Sequence, residues 1–314
     1  MEATIPCHIG GSASGADSRT RRRQIVRDLC ARLLAEWRLN PISSTCLLFL
    51  RPTAERGWLK SLTRLHLQVV CVKGDELGCL LSTSFALEQL EIRYCDGIIC
   101  LKVPCLLQRL SYPKVLGCGR LRVIDCDAPN ISSFYFQGNP KVQLLLGEAL
   151  KMKKLRISFS GAVHYARVEL PSSMPNLETA TIFSSSEVSQ RKMEHVSVFL
   201  DPSDMRWMPG QRHHKLKIVE ILGFSSAKSL VELTCHVVEC QTSLECLKLE
   251  AHQSSFRCSV PDNQCSKCSP LPVDVLTEAR RALLAIRTYI EPKVPSTVKL
   301  QVVEPCSRCH AIEL

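Results

Sequence analysis

Two short cysteine pairs, Cys265-Ser-Lys-Cys268 and Cys306-Ser-Arg-Cys309, have the residue types and spacing best suited to chemistry in this chain. Four thiolates offered as two CxxC pairs suit a tetrahedral zinc ion. A four-thiolate site is structural, because it leaves no open position for a substrate. The stretch between the pairs, 269–305, exceeds the about 15–20 residues usual between such pairs. The competing expectation is therefore four free thiols and no cofactor. Cys306-Ser-Arg-Cys309-His310 also matches the haem-attachment pattern CxxCH. Covalent haem needs export, and no apolar signal core follows Met1, so that match is read as accidental. Elsewhere no nucleophile stands with a base: His66, His164, His236 and His252 are scattered, and His213 and His214 lie in a charged Arg212–Lys215 stretch. Neither a nucleophile elbow (GxSxG), a P-loop nor GxGxxG is written in the sequence. No enzyme is expected.

The residues that would contact a partner are clearer, and a repeat places them. Leu62-Thr-Arg-Leu65-His-Leu67 has the form LxxLxL, and so do segments starting at Leu87, Ile131, Met152, Leu177, Leu216 and Leu244. Weaker copies start at Leu107 (with Leu110 and Tyr112) and Met193 (with Val196 and Val198). Most spacings fall in the range of about 20–29 residues that marks leucine-rich repeats. Side chains alternate along a strand, so the paired apolar residues face inward and the residue between them faces out. One such strand cannot bury its apolar edge alone, and parallel stacking of neighbours makes the core. Three residues past the last apolar position the motif wants Asn or Cys; Cys95 and Asn139 fit, Ser160 and Ser185 more loosely. The expected fold is α/β, a leucine-rich-repeat solenoid of parallel strands with an irregular helical and loop convex side.

That geometry assigns the outward strip. Its predicted partner-binding residues are Arg64, His66, Gln89, Glu91, Arg93 and Tyr135 in the earlier repeats. Lys154, Arg156, Thr181, Glu220 and Lys248 follow in the later ones, with Gln68, Ser133 and Glu250 beside them. Mixed charge with a tyrosine suits a protein target better than a phosphate backbone, which favours an unbroken basic stripe.

The convex segments read unevenly. Asp75–Leu81 and Ser225–Cys240 look helical, the latter with Leu230, Leu233 and Val237 on one stripe and Glu232 off it. Gly117–Asn130 reads as an irregular turn. The short step from Leu177 to Met193 implies either a repeat without its convex side or a repeat lost there. Toward the C-terminus, Val273–Ile290 is an amphipathic helix and Thr297–Val303 alternates like a strand. The organisation expected is a Gly/Ser-rich basic start (1–23), a helical segment serving as N-terminal cap (24–58), the repeats (59–253) and a Cys-rich C-terminal cap (254–314).

Composition fits that picture. The 314 residues are 45% hydrophobic and 22% charged, which excludes a wholly disordered chain. Apolar runs such as Cys46–Leu50 fall far short of the about 20 residues of a membrane helix, so no membrane partner is expected. Eighteen cysteines without a secretory signal point to reduced thiols and to the cytoplasm or nucleus. The net charge of +10, with Arg19-Thr-Arg21-Arg22-Arg23 near the start, raises an alternative: a nucleic-acid-associated factor with a zinc tail. The plainer reading of that arginine run is a solvated helix face.

From Leu59 onward the chain resembles the repeat region of plant F-box/leucine-rich-repeat proteins with FBD-like tails. The resemblance rests on Leu87-Glu-Gln-Leu-Glu-Ile-Arg-Tyr-Cys95, Ala128-Pro-Asn-Ile-Ser-Ser-Phe134, Leu170-Pro-Ser-Ser-Met-Pro-Asn-Leu-Glu178 and Ser243-Leu-Glu-Cys-Leu-Lys-Leu249. It implies a substrate receptor in which an F-box binds the Skp1 adaptor of a ubiquitin ligase and the repeats recruit a target. The F-box phrase LPxxxLxxI is not written in residues 1–58, where Ile5-Pro-Cys-His-Ile9 is at most a remnant. Skp1 is on that ground a doubtful partner, and a target-binding scaffold without a working F-box is the expected function.

Overall fold

Backbone alternation and stacking dictate the architecture of the computed structural model. It describes residues 20–21, 24–25, 28–29, 45–50, 61–139, 142–147, 149–159, 161–168, 174–184, 197–200, 214–251 and 273–305. The four cysteines of the CxxC pairs, Met193, Ser160, Ser185, His213, and Arg19, Arg22 and Arg23 lie outside these residues. The chain divides into two compact units, Met1–Ala149 and Leu150–Leu314.

In the first unit, β1 (Thr45–Leu50) runs antiparallel to β2 (Leu62–Gln68), and β3 (Gln89–Arg93), β5 (Tyr112–Leu116) and β7 (Ser133–Gln137) continue from β2 in parallel. Within the segment expected to be helical, 24–58, the structure thus has a strand at 45–50. The inward rows are buried: Leu65 and Leu67 on β2, Leu90 and Ile92 on β3, Val115 on β5, Phe134 and Phe136 on β7. Removing such aliphatic rows from water is the main favourable term in a repeat core.

The return segments carry one helix, α1 (Gly74–Leu81), where expected, and then change character. β4 (Cys100–Val103), β6 (Val123–Cys126) and β8 (Gln143–Leu145) form a second parallel sheet. Leu101, Val103, Ile124 and Cys126 of that sheet are buried. This corrects the reading of 117–130 as an irregular turn. The repeats there are shorter than the one holding α1, and a four-residue strand crosses the return side with less chain than a helix and its loops.

The copy placed at Leu107 also moves. β5 buries Pro113 and Val115, so the repeat is Leu110-Ser-Tyr-Pro113-Lys-Val115 and its outward residue is Lys114. Directly after β2, β3 and β5 the backbone turns through a left-handed residue: Val69 (φ 53°), Tyr94 (φ 52°) and Gly117 (φ 64°). The turn keeps the ladder going, since the N–H groups of Val69, Tyr94 and Gly117 donate to Arg93, Leu116 and Gln137 carbonyls at 2.9, 2.9 and 2.8 Å. A Cβ on Gly117 would overlap the Tyr94 ring, so this position excludes larger residues on space as well as conformation.

In the second unit, β9 (Lys154–Ser158), β10 (Thr179–Phe183), β11 (Ile218–Leu222), β12 (Cys246–Glu250) and β13 (Lys299–Val303) are all parallel and in that order. β10 pairs directly with β11, Thr181 opposite Glu220. The copy started at Met193 is therefore not a strand of this ladder, and the step from Leu177 to Leu216 is one long repeat rather than one short and one lost. Ser197 forms only an isolated antiparallel bridge to Ala227.

Helices α2 (Ala162–Val168), α3 (Lys228–Cys240) and α4 (Val273–Ala285) cover the return side, α4 ending in a π turn over Ile286–Ile290. α3 is buried on more than one stripe, Glu232 included, because the π turn closes over it. There the Cys235 thiol donates to the Tyr289 carbonyl at 3.4 Å and Lys293 pairs with Glu239 at 2.7 Å. One Glu278 carboxylate oxygen accepts from both the backbone N–H and hydroxyl of Ser226 at 2.8 Å, anchoring α4 at the start of α3.

Candidate functional site

Register turns the outward positions of the first unit into rows. His66 of β2 stands opposite Glu91 of β3, Glu91 opposite Lys114 of β5, and Lys114 opposite Tyr135 of β7. Arg64, Gln89 and Tyr112 form the row on one side, and Gln68, Arg93 and Leu116 the row on the other. Facing side chains on adjacent strands are close enough to interact, and Glu91 meets two of them, His66 and Lys114, as well as Arg93 two residues along its own strand. His66 Nδ1 lies 3.2 Å from Oε2; Lys114 Nζ donates to Oε1 at 2.8 Å and Arg93 Nε to the same oxygen at 2.7 Å. Burial pushes the Glu91 carboxyl up, but Lys114 and Arg93 outweigh it and hold the group below the ordinary glutamate value. Lys114 Nζ also stands 5.5 Å from the centroid of the Tyr135 ring, and His66 Nε2 is buried without a hydrogen-bond partner.

Beneath the end of these rows runs a column in the Asn/Cys slot. Cys95 donates to the Arg93 carbonyl at 3.3 Å, Cys118 to that of Leu116 at 3.6 Å, and Asn139 Nδ2 to that of Gly119 at 3.5 Å. Burial drives the Cys95 thiol up to about 12 and raises that of Cys118. These thiols are structural donors, not nucleophiles.

In the second unit the central row is Arg156, Thr181, Glu220, Lys248 and Gln301, each opposite the next. The Thr181 hydroxyl donates to Glu220 Oε2 at 3.1 Å, and Lys248 Nζ lies 3.8 Å from Oε1. The Arg156 guanidinium sits 4.6 Å from the Phe183 ring centroid, a cation–π arrangement.

All eleven strand-face residues expected from the sequence lie on these strands at outward positions, six in the first unit and five in the second. Two outward residues depart from the expectation of a solvated face. Thr181 is only 6% exposed, its short side chain set between two longer neighbours, so it orients Glu220 instead of meeting solvent. Glu250 is 1% exposed. The sequence pattern missed Lys114, which joins Glu91 to Tyr135. Reading Pro113 as a member of the Leu slot would have found it. It also missed Gln301 and Lys299, which the alternation of Thr297–Val303 could have placed. Among the described residues no group of three or more His, Cys, Asp or Glu side chains is arranged to hold a metal ion.

A family model, the At1g61320/AtMIF1 leucine-rich-repeat domain, matches residues 30–193 and again 187–307. The chain belongs to this family. Membership and strand geometry agree on an α/β leucine-rich-repeat fold. Leucine-rich-repeat domains are typically non-catalytic modules whose stacked strands present a surface for protein partners. No curated protein matches the chain. Among the described residues no helix of this leucine-rich-repeat protein is long and apolar enough to cross a membrane.

Proposed function

We propose that the chain is a non-catalytic scaffold whose strand faces recognise a protein target, working as the target-recognition region of an F-box/leucine-rich-repeat ubiquitin-ligase receptor does, in the cytoplasm or nucleus. The observation that carries this is the in-register row His66–Glu91–Lys114–Tyr135, with the row Arg156–Thr181–Glu220–Lys248 as its counterpart in the second unit. Mixed charge, an aromatic ring and arginine in a partly desolvated strip are the composition of protein-binding surfaces. A carboxylate in the middle of each row argues against a nucleic-acid backbone, which would be repelled there.

A pull-down with the full chain tests the reading. Proteins recovered by the native chain should be lost when Tyr135→Ala and Arg156→Ala are combined, while the variant keeps its circular dichroism spectrum and melting temperature. Recovery unchanged by those substitutions would refute a strand-face mode of binding. Skp1 in the recovered set would mark a complete ligase receptor, and its absence a recognition module acting without that adaptor.

A further inference from the structure

In the second unit β10, β11 and β12 have a neighbouring strand on both sides, whereas β13 pairs with β12 and ends the sheet. The missing neighbour shows in its inward row. Leu300 and Val302 are half-buried, while Val219, Ile221, Leu247 and Leu249 on the two preceding strands are 1% exposed or less. The same edge carries backbone groups. The Lys299 N–H donates to the Glu245 carbonyl at 2.9 Å, and the Ala251 N–H to the Val303 carbonyl at 3.1 Å. A residue's N–H and C=O point to one side of a strand, and that side alternates along it. Lys299, Gln301 and Val303 therefore bond to β12, and Leu300 and Val302 turn their N–H and C=O groups to the open edge. Among the described residues no further strand takes them up. Edge strands are commonly blunted by proline, a bulge or a charge aimed inward. Lys299-Leu-Gln-Val-Val303 has none of these: its register with β12 is unbroken, and its one charge, Lys299, is on the outward side.

We infer that this edge pairs antiparallel with β13 of a second copy of the chain, about a two-fold axis through Gln301. The strand is self-complementary in that register. Leu300 stands opposite Val302 of the second copy and Val302 opposite Leu300, each pair exchanging two backbone hydrogen bonds, four in all. These side chains lie on the inward face, so pairing closes the apolar row that β13 leaves half-open. Neither neighbouring register does this. A shift one way sets Val302 against Val298, whose N–H already donates to the Pro295 carbonyl at 2.9 Å. A shift the other way sets Leu300 against Glu304, which pairs with Arg287 at 3.4 Å. At the axis Gln301 meets its own copy as a non-hydrogen-bonded pair, where side chains come closest and like charges would repel. Earlier strands carry Arg156, Glu220 and Lys248 in this row; the edge carries a neutral amide that both donates and accepts. Lys299 faces Val303 of the second copy, which keeps the two lysines four residues, about 13 Å, apart. Any extended strand satisfies the open backbone groups; the match at all three opposed positions is what selects a second copy.

Sedimentation velocity on the full chain over a concentration series tests this. The mass should rise from one chain to two and stop there. Val302→Pro removes an N–H from the open edge and none from the pairing with β12, a position where a strand tolerates proline. It deletes two of the four bonds between copies and should weaken the dimer about thirtyfold, with circular dichroism and melting temperature showing that the variant is folded. If it does not fold, Gln301→Lys sets like charges together on the axis, and its dimer should be weak at low salt and recover at high salt. Cross-linking reads the register. With diamide, which is reduced to the hydrazine as two thiols become a disulfide, Gln301→Cys should link two copies at that position and Lys299→Cys should not. Peptide mapping separates this bond from those of the 18 native cysteines. A chain that stays single at every concentration, a mass that climbs past two, a dimer indifferent to these substitutions, or equal cross-linking at 299 and 301 would each overturn the inference. Recovery of target proteins through the strand faces is independent of all these outcomes.

Discussion

At the residue scale, Glu91 shows how a carboxylate can be kept charged on a half-buried sheet. Burial alone would raise its proton affinity; the adjacent Lys114 and Arg93 reverse that and leave it depressed. A carboxyl depressed in the folded state contributes stability that is present above its unfolded value and lost as pH falls through the folded one. Glu91→Gln removes that contribution and leaves two cations facing each other. The variant should be less stable than the native chain by about 1 kcal/mol near neutral pH, with the difference shrinking steadily as pH falls to about 3. Urea denaturation across that range checks it. A difference that is constant with pH would mean that Glu91 contributes through shape rather than charge. His66, Arg93 and Lys114 were each readable or nearly so as outward residues, but their convergence on one carboxylate was not. Alternation says which side of the sheet a residue takes; it does not say which neighbour its side chain reaches.

At the scale of elements, the strands with full LxxLxL motifs were legible because a period of two and a buried face leave one register open. Leu62 opens a strand that pairs as the motif demands, and Leu87, Ile131, Met152, Leu177, Leu216 and Leu244 each precede one. Where a proline fills a leucine slot, as Pro113 does, the motif disappears from view although the packing is the same. The return strands were not legible at all. Val123-Ile-Asp-Cys126 is too short for its alternation to be told from a turn, and it is tertiary stacking on β4 that makes it a strand. The column made by the buried Cys95 and Cys118 and the more exposed Asn139 was legible at the Cys95 and Asn139 slots and not at Cys118. It yields a chemical prediction. Burial places Cys95 and Cys126 at about 12, leaving almost no thiolate at neutral pH, whereas Cys71 and Cys105 are exposed. A maleimide or iodoacetamide should label Cys71 and Cys105 in the native chain within minutes. Cys95, Cys118 and Cys126 should require denaturant, with peptide mapping to assign the sites. Native labelling of Cys95 at the rate of Cys71 would show that its strand end opens and that the column is not closed.

At the scale of the molecule, charge is distributed so that each unit's strand face carries more cations than carboxylates. Arg64, Arg93 and Lys114 stand against Glu91 in the first unit; Lys154, Arg156, Lys248 and Lys299 stand against Glu220 and the buried Glu250 in the second. The excess follows the net charge of +10 but is placed where the rows are. Such a field acts in two separable ways. In the proposed binding mode, cations in the rows would touch a ligand and set how long it stays, whereas exposed cations at the edges would attract it through solvent and set how often it arrives. Lys154 and Lys299 are of the second kind: both are exposed, and they occupy one row of the second unit with β10, β11 and β12 between them. Neutralising both, as Lys154→Gln with Lys299→Gln, should lower the association rate of an acidic peptide about two- to threefold at about 50 mM salt while leaving its dissociation rate unchanged. Raising salt to about 300 mM shortens the screening length to a few ångströms and should erase the difference. Stopped-flow anisotropy separates the two rates. A changed dissociation rate would mean that these lysines contact the ligand directly, and an association rate indifferent to salt in the native chain would mean that the excess charge steers nothing.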